Sequence, residues 1–553
     1  MIVKTTKDWP TQESDIIVDR YVNQPRPIRV AVLGAGISGI AFAYKARGLE
    51  TVSFTIFEKN HDVGGTWLES RYPGVSCDVP AHCYTYTWAG NPDWTRVYAS
   101  GQEINEYYRS LAREYGVYEN TKFRHKIVGA EWSADEAAWR LSVEDLATGD
   151  KHVHVAEIFI NSGGVLNNWA WPNIPGLHDF QGSLVHTARW DETLDLTGKR
   201  IAVIGSGASA LQVVPTLQSS VSSLVSFHRS PAWVAAEFAG QFASKGRDTE
   251  YTEEERRRFR DDPEYHARYR REVEHGMNAR FPSFFRLSDA QTIGVQNVTK
   301  SMRARLGNDP VLCEKLIPKF PLGCRRVTPG HGYLEALTKS NVTVETAPIA
   351  RVTGHGIETV DGTMYEVDAI ITATGYVTDF VPRFPIIGLG GVNLQDVWRD
   401  QGARAYMSVA APSMPNYFMT TGPNSPISNG SLIPAIERQI DFALAFIRKI
   451  QVQDLQHVVV TDEATDDFNT WKDEFMKGMT WSGSCNSWYK NGTTDGTIIG
   501  PWPGSVNHFL QSLKEPRFED FSYKYNSRNR FRFLGNGLAE NEIKGWPLGE
   551  YIK

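Results

Sequence analysis

Twice along this chain a short apolar strand runs directly into a glycine-rich turn and out into a helix, and no other feature limits the possible fold as strongly. Ile28-Arg29-Val30-Ala31-Val32-Leu33 enters Gly34-Ala35-Gly36-Ile37-Ser38-Gly39, with helical sequence from Ile40 to about Gly48. Arg200-Ile201-Ala202-Val203-Ile204 enters Gly205-Ser206-Gly207-Ala208-Ser209-Ala210. Glycines let the backbone approach a diphosphate, and the helix that follows turns unpaired N–H groups and its positive dipole end toward it. Such a unit needs a parallel sheet covered by helices. The expected class is therefore α/β, with two Rossmann-like dinucleotide-binding domains. The ends of the next strands, Ser53 to Phe57 and Leu224 to Phe227, separate the ligands. Glu58 lies about 20 residues beyond Gly39, where a carboxylate accepts hydrogen bonds from ribose hydroxyls and repels a 2′-phosphate. Arg229 holds the matching place in the second unit, where a guanidinium pairs with a 2′-phosphate. FAD on the first loop and NADPH on the second are the expected cofactors.

A chain of 553 residues exceeds one compact core. The FAD-binding domain is expected over 1–170 and again over 377–553, the latter with a C-terminal wrap. The NADPH-binding domain is expected over 171–240 and 322–376, interrupted by a helical insertion over 241–321. Residues 1–27, with Pro10, Pro25 and Pro27, read as a surface arm. Between Glu131 and Gly164 the alternation around Trp139–Val143, the turn Thr148-Gly149-Asp150 and the run His152 to Ile160 predict antiparallel strands. Pro172 and Pro175 mark the exit from the first unit. Phe238 to Phe320 is helix-like, and its run Glu253-Glu254-Glu255-Arg256-Arg257-Arg258 reads as a solvated face with helical ion pairs. Val342-Thr343-Val344 and Asp368 to Ala373 are strands returning to the second unit. Pro415 to Asn424 is a strand and turn, and Ser431 to Ile450 a long helix, returning to the first.

A formal net charge of −6 provides no field that would attract a phosphate backbone or anionic lipid, so neither nucleic acid nor membrane is expected as a partner. Cys77, Cys83, Cys313, Cys324 and Cys485 are odd in number and contain no C-x-x-C pair, which predicts reduced thiols in a cytoplasmic setting and no disulfide-reductase chemistry. The opening residues contain no apolar leader segment. His152 and His154 share a strand face without further ligands in motif spacing, so no metal is expected. G-x-S-x-G, H-E-x-x-H and the Walker lysine are all missing from the sequence.

Three further segments carry chemistry. Phe180-Gln181-Gly182-Ser183-Leu184-Val185-His186-Thr187-Ala188-Arg189-Trp190-Asp191 reads F-x-G-x-x-x-H-x-x-x-W-D. Gly64-Gly65-Thr66-Trp67, Arg71-Tyr72-Pro73-Gly74 and Cys77-Asp78 read G-G-x-W-x-x-x-x-Y-P-G-x-x-x-D. Pro321-Leu322-Gly323-Cys324-Arg325-Arg326 sets two arginines side by side. With both nucleotide loops in order, the chain from about residue 28 to 505 resembles the type I Baeyer–Villiger monooxygenases. Sister monooxygenases that oxidise amines and sulfides usually end the first of these runs in Tyr or Phe without the Asp.

The resemblance implies an FAD- and NADPH-dependent enzyme that uses O2 to convert a ketone, a small-molecule substrate, into an ester or lactone through a flavin C4a-peroxide. Phe180, Gly182, His186, Trp190 and Asp191 would be its fingerprint residues. Gly34, Gly36, Ser38, Gly39, Glu58, Gly65, Thr66, Trp67, Asp78 and Tyr84 would hold FAD. Gly205, Ser206, Gly207, Ala208, Ser209, Ala210, Arg229 and Arg325 would hold NADPH, Arg325 replacing the family's usual Lys. In Cys485-Asn486-Ser487-Trp488-Tyr489, Trp488 would reach the nicotinamide half, although the following Lys490-Asn491-Gly492 departs from the well-known bacterial members. Gly422 to Asn429 resembles a loop that approaches the flavin and shapes the ketone pocket. Arg326 would be the catalytic arginine, with Asp78 holding it in place. A fixed cation suits this chemistry because a peroxyanion and a tetrahedral oxyanion both gain from positive charge in a water-poor pocket. The rival readings are an N- or S-oxygenating flavin monooxygenase and a catalytically silent nucleotide-binding scaffold. A monomer or weak oligomer is expected.

Overall fold

The computed structural model describes residues 16–243 and 249–552. Two five-stranded parallel sheets organise it. In the first the order is Tyr417–Met419, Ile158–Asn161, Ile28–Leu33, Val52–Glu58, Thr121–Phe123. In the second it is Val342–Glu345, Ser223–Phe227, Arg200–Ile204, Ala369–Thr372, Ser183–His186. Both glycine-loop strands are central and nearly continuously apolar because helices or loops cover both faces; Val30, Ala31, Val32, Ile201, Ala202 and Val203 are all buried. The helices Ile37–Ala46 and Ala208–Leu217 follow the two loops, as the sequence predicts. The C-terminal part returns to the first sheet through Tyr417–Met419. The 20-residue helix Ile433–Val452 packs on Ile37–Ala46, with Lys45 paired to Asp441 at 2.6 Å.

The expected antiparallel run from His152 to Ile160 is corrected: it belongs to two sheets. Lys151–Ala156 pairs antiparallel with Ala138–Asp145, whereas Ile158–Asn161 pairs parallel with Ile28–Leu33. The break falls at Glu157, whose carboxylate accepts the Arg29 backbone N–H (2.7 Å) and guanidinium (2.6 Å) and so ties the crossing point to the neighbouring strand. The alternation at Val153 and Val155 gives way after Glu157 to the unbroken, fully buried run Ile158-Phe159-Ile160, the pattern of a parallel strand covered on both faces. The predicted helical stretch contains Glu253–Asp261, Pro263–Asn278, Asp289–Arg305 and Pro310–Leu316. Its charged run forms the expected ion pairs, Glu253 meeting Arg256 and Arg260. Pro263–Asn278 docks on Ala81–Cys83 of the first unit, where His266 Nε2 meets His82 Nδ1 at 3.0 Å and Arg270 donates to the Tyr86 carbonyl at 2.7 Å. Of the expected N-terminal arm, residues 1–15 lie outside the described residues, and 16–27 form no helix or strand. Among the described residues no helix is long and apolar enough to cross a membrane.

Burial holds His186, His228, His266 and His457 down at about 4 each. Their unfolded value is near 6.5, so below that pH the unfolded chain takes up protons that the folded one refuses. Stability is therefore complete above pH ~6.5 and lost as the pH falls toward 4, by up to ~3 kcal/mol per histidine. Thermal unfolding followed from pH 7 to 4 should show this decline, and a flat profile would contradict the neutral, buried state of these rings.

Candidate functional site

The first glycine loop is built for close approach. Gly34 has a φ of +95°, and a Cβ on Gly39 would lie 2.1 Å from the Gly34 carbonyl oxygen, so the helix can lie this near the strand only without one. Gly36 faces Gly65, where a Cβ would meet the opposing Cα at 3.5 and 3.1 Å respectively. The Ile37–Ala46 helix begins at Gly36 without a side-chain cap, which leaves its first N–H groups open to an anion, with Ser38 buried in its first turn. Glu58 is buried at the end of its strand, accepting N–H groups of Ala35 and Asn60 at 2.8 Å each. Burial raises its carboxyl above the usual range, and these two bonds oppose the shift. Thr66 opens a short helix after Gly65, and Trp67 lies edge-on to Tyr84 with centroids 5.6 Å apart. The buried Ser162 hydroxyl has no protein partner. An open helix start, backbone approach and an orphaned hydroxyl suit a flavin nucleotide.

The second loop repeats the pattern. Gly205 has a φ of +125°, and its Cβ would fall 2.4 Å from the Ala373 carbonyl oxygen, whereas Gly207 faces open space. The Ala208–Leu217 helix again starts uncapped, Gly207 and Ala208 are exposed, and Ala210 is buried against the sheet. Ser209 is half-buried on the first turn, and Ser206 donates to the Ser230 carbonyl at 3.3 Å. Arg325 Nη1 reaches Ser230 Oγ at 2.9 Å, and exposed Arg229 reaches Asn486 Oδ1 at 3.4 Å. Burial, and then the like charge of Arg229, depresses the Arg325 guanidinium. Neither arginine has a carboxylate partner among the described ion pairs. Two converging cations of this kind match a phosphate dianion.

The segment between Gly64 and Asp78 joins the two units. The Tyr72 hydroxyl donates to Gln212 Oε1 at 2.8 Å, and Gln212 Nε2 donates to the Ser76 carbonyl at 2.9 Å. Gly74 lies so close to the Ala208–Leu217 helix that a Cβ would meet Thr216 Oγ1 at 2.2 Å. Asp78 is thereby set against Arg326. One carboxylate oxygen accepts Nε at 3.1 Å and Nη2 at 2.6 Å, while Nη1 donates to the Ile427 carbonyl at 2.8 Å. The Asp78 charge holds this guanidinium above its usual range, against the opposing effect of burial. The side chains remain 32% and 17% accessible, so the pair is open to a ligand.

The fingerprint run lies at the edge of the second sheet. A Cβ on Gly182 would strike the Asp368 carbonyl oxygen at 2.4 Å and the buried Phe180 ring at 2.6 Å. His186 accepts the Ala188 N–H at Nδ1 (3.0 Å), bonds Thr374 through Nε2 (3.2 Å) and stacks on Trp169 at 4.8 Å. Trp190 packs on the second core, and exposed Asp191 caps a turn by accepting the Thr193 N–H at 2.9 Å. These contacts organise the junction between the units and lie apart from the Asp78–Arg326 contacts.

The expectation of five reduced thiols is corrected. Cys324 and Cys485 form a disulfide with Cα atoms 6.3 Å apart, leaving Cys77, Cys83 and Cys313 free and buried. A separation of 161 residues leaves no spacing signal, and cysteine usage gives no argument for a reducing compartment. Trp488 is half-buried in the tethered loop, edge-on to the buried Tyr489, whose hydroxyl faces Arg326. Ile427 and Tyr489 were within segments singled out from the sequence, but their approach to Arg326 was not legible there, since one contributes a backbone carbonyl and the other an ordinary aromatic.

The flavin-binding monooxygenase-like family model matches residues 27–242. The FAD-binding monooxygenase tazF of Aspergillus terreus is 42% identical over 96% of this chain and 95% of its own. A Baeyer–Villiger monooxygenase of Pseudomonas aeruginosa is 33% identical over 88% of this chain and 89% of its own. The fold is shared with cyclohexanone monooxygenase from Rhodococcus sp. Phi1 bound to NADP+, with a TM-score of 0.79 at 24% identity, covering 91% of this chain and all of that one.

Proposed function

From the premise that this chain belongs to the type I Baeyer–Villiger monooxygenases, enzymes that use FAD and NADPH, we propose that it inserts one atom of O2 beside the carbonyl of a ketone to give an ester or lactone. The observation that carries this reading is Arg326, held on two sides by Asp78 and Ile427. Bound FAD, reduced by NADPH, supplies the activation of oxygen. A ketone attacked by an oxygen nucleophile gathers negative charge on its carbonyl oxygen, and a fixed donor at that point lowers the barrier. Asp78 and Ile427 occupy three of the five guanidinium N–H groups, and the Tyr489 hydroxyl also faces this guanidinium. Asp78 fixes the plane of the guanidinium and moves no proton. Electrophilic oxygen transfer to an amine or sulfide builds no such oxyanion and has less need of this cation. Gly36 and Gly65 would admit the FAD diphosphate, with Glu58 toward its ribose. Gly207 would admit that of NADPH, with Arg229 and Arg325 on the 2′-phosphate.

The test is a panel of ketones, sulfides and amines with NADPH under ¹⁸O₂, followed by mass spectrometry. An ester or lactone carrying one labelled oxygen supports the reading; labelled N- or S-oxides without ester would replace it.

His186, Trp169 and Thr374 form a joint between the units, for which we propose a part in keeping flavin reduction and oxygenation in step. His186→Ala is expected to retain FAD but to release more hydrogen peroxide per NADPH consumed. A peroxide assay showing unchanged coupling would reduce the run to structural support.

A further inference from the structure

The Cys324–Cys485 bond ties together the two segments that carry the proposed coenzyme and arginine contacts. Cys324 directly precedes Arg325 and Arg326, and Cys485 directly precedes Asn486, the partner of Arg229, with Trp488 and Tyr489 just beyond. The fold prepares this meeting. A Cβ on Gly483 would press on Pro321 at 3.1 Å, and one on Gly323 would press on Thr480 Oγ1 at 3.1 Å, so glycine at both places lets the two segments approach. Lys490 Nζ donates back to the Gly483 carbonyl at 2.6 Å, closing the loop on itself beyond the cross-link.

Seating this loop also has a cost. Holding the loop in one place costs chain entropy, with the Tyr489 side chain buried there against Arg326. A loop joined to the core only through the chain would regain that entropy by lifting away. A covalent tether raises the effective concentration of the loop at its seat and offsets that tendency.

We propose that the Cys324–Cys485 disulfide positions the C-terminal loop over the second nucleotide site, so that tight binding of the phosphate-bearing half of the coenzyme depends on the bond being closed. This rests on the assignment of Arg229 and Arg325 to the 2′-phosphate. It makes the site sensitive to thiol redox state. A dithiol such as dithiothreitol passes two electrons and two protons to the cross-link: the Cys324–Cys485 S–S bond breaks, two cysteine thiols form, and the reductant closes into its own cyclic disulfide. Cys324 is 0% and Cys485 4% exposed, so reduction waits on loop opening and is slow. Bound coenzyme, by holding the loop down, slows it further.

The experiment uses the FAD-loaded full chain and 2′,5′-ADP, an inert probe of the phosphate-bearing half, measured by calorimetry. Alkylation and intact-mass analysis count the thiols in the same samples. The oxidised protein should show three free cysteines and bind the probe. The dithiothreitol-treated protein and the Cys324→Ser/Cys485→Ser variant should bind roughly tenfold more weakly or worse, with faster amide exchange in residues 483–500, and the variant should not respond to dithiothreitol. Five free thiols in protein purified without reductant, or equal affinity with the bond open and closed, overturns the proposal. Failure of the oxidised protein to bind the probe at all would instead overturn the underlying assignment of the two arginines. Should the double variant fold poorly, the reduced wild-type protein gives the same comparison.

Discussion

Arg326→Ala is expected to remain yellow, accept hydride from NADPH, and form ester from any ketone about 10²–10³ more slowly, the scale set by loss of one donor to a developing oxyanion in an enclosed site. The loss follows from geometry. Among the described contacts Arg326 alone spans Asp78 and the Ile427 carbonyl, so no neighbour replaces its charge. Arg326→Lys keeps a cation but not the planar fork that engages Asp78 through two N–H groups, and should recover only part of the rate. Asp78→Ala leaves the guanidinium charged but supported only by Ile427, so it should show the same defect more mildly. Ester yield per NADPH, with peroxide measured alongside, separates these cases. Normal ester yield in Arg326→Ala would remove Arg326 from the mechanism.

The second large effect concerns coenzyme choice. Each charge-assisted contact to a phosphate contributes roughly 1.5–3 kcal/mol, or about ten- to a hundredfold in affinity. Arg229→Ala and Arg325→Ala should each weaken NADPH by about that factor, with little change for NADH, and the double variant should lose most of the preference. Arg325 also holds Ser230, which bonds to the glycine loop through Ser206, so its replacement should disturb the site more than loss of exposed Arg229. The rate of flavin reduction at low coenzyme concentration reads the effect directly. Equal reduction by NADH and NADPH in the unaltered protein would mean that the two arginines do not read the phosphate.

Features recorded within a short window of chain were legible from the residues. Both nucleotide units could be read because a strand, a glycine loop and a helix are consecutive, and because positive φ or backbone approach restricts Gly34, Gly39 and Gly205 to residues without a side chain. The opposed characters of Glu58 and Arg229 could be read for the same reason: each stands at the end of a strand paired with its own loop strand. Motif order likewise singled out Asp78 and Arg326, although nothing local indicated that they touch.

Tertiary structure alone decided what depends on segments distant in the chain. The disulfide spans 161 residues and leaves no periodic or compositional trace, and the Asp78–Arg326 pair, 248 residues apart, was expected only through the family resemblance. The change from alternation at Val153 and Val155 to the unbroken run Ile158-Phe159-Ile160 falls at Glu157, but which sheet each part joins is decided only by pairing with Ala138–Asp145 and Ile28–Leu33. The second support of Arg326 is the Ile427 carbonyl, a backbone atom that every residue carries. Side chains that must have one shape to fit a local backbone declare themselves in sequence; partners chosen by the packing of remote segments do not, because many residue types satisfy the same meeting point.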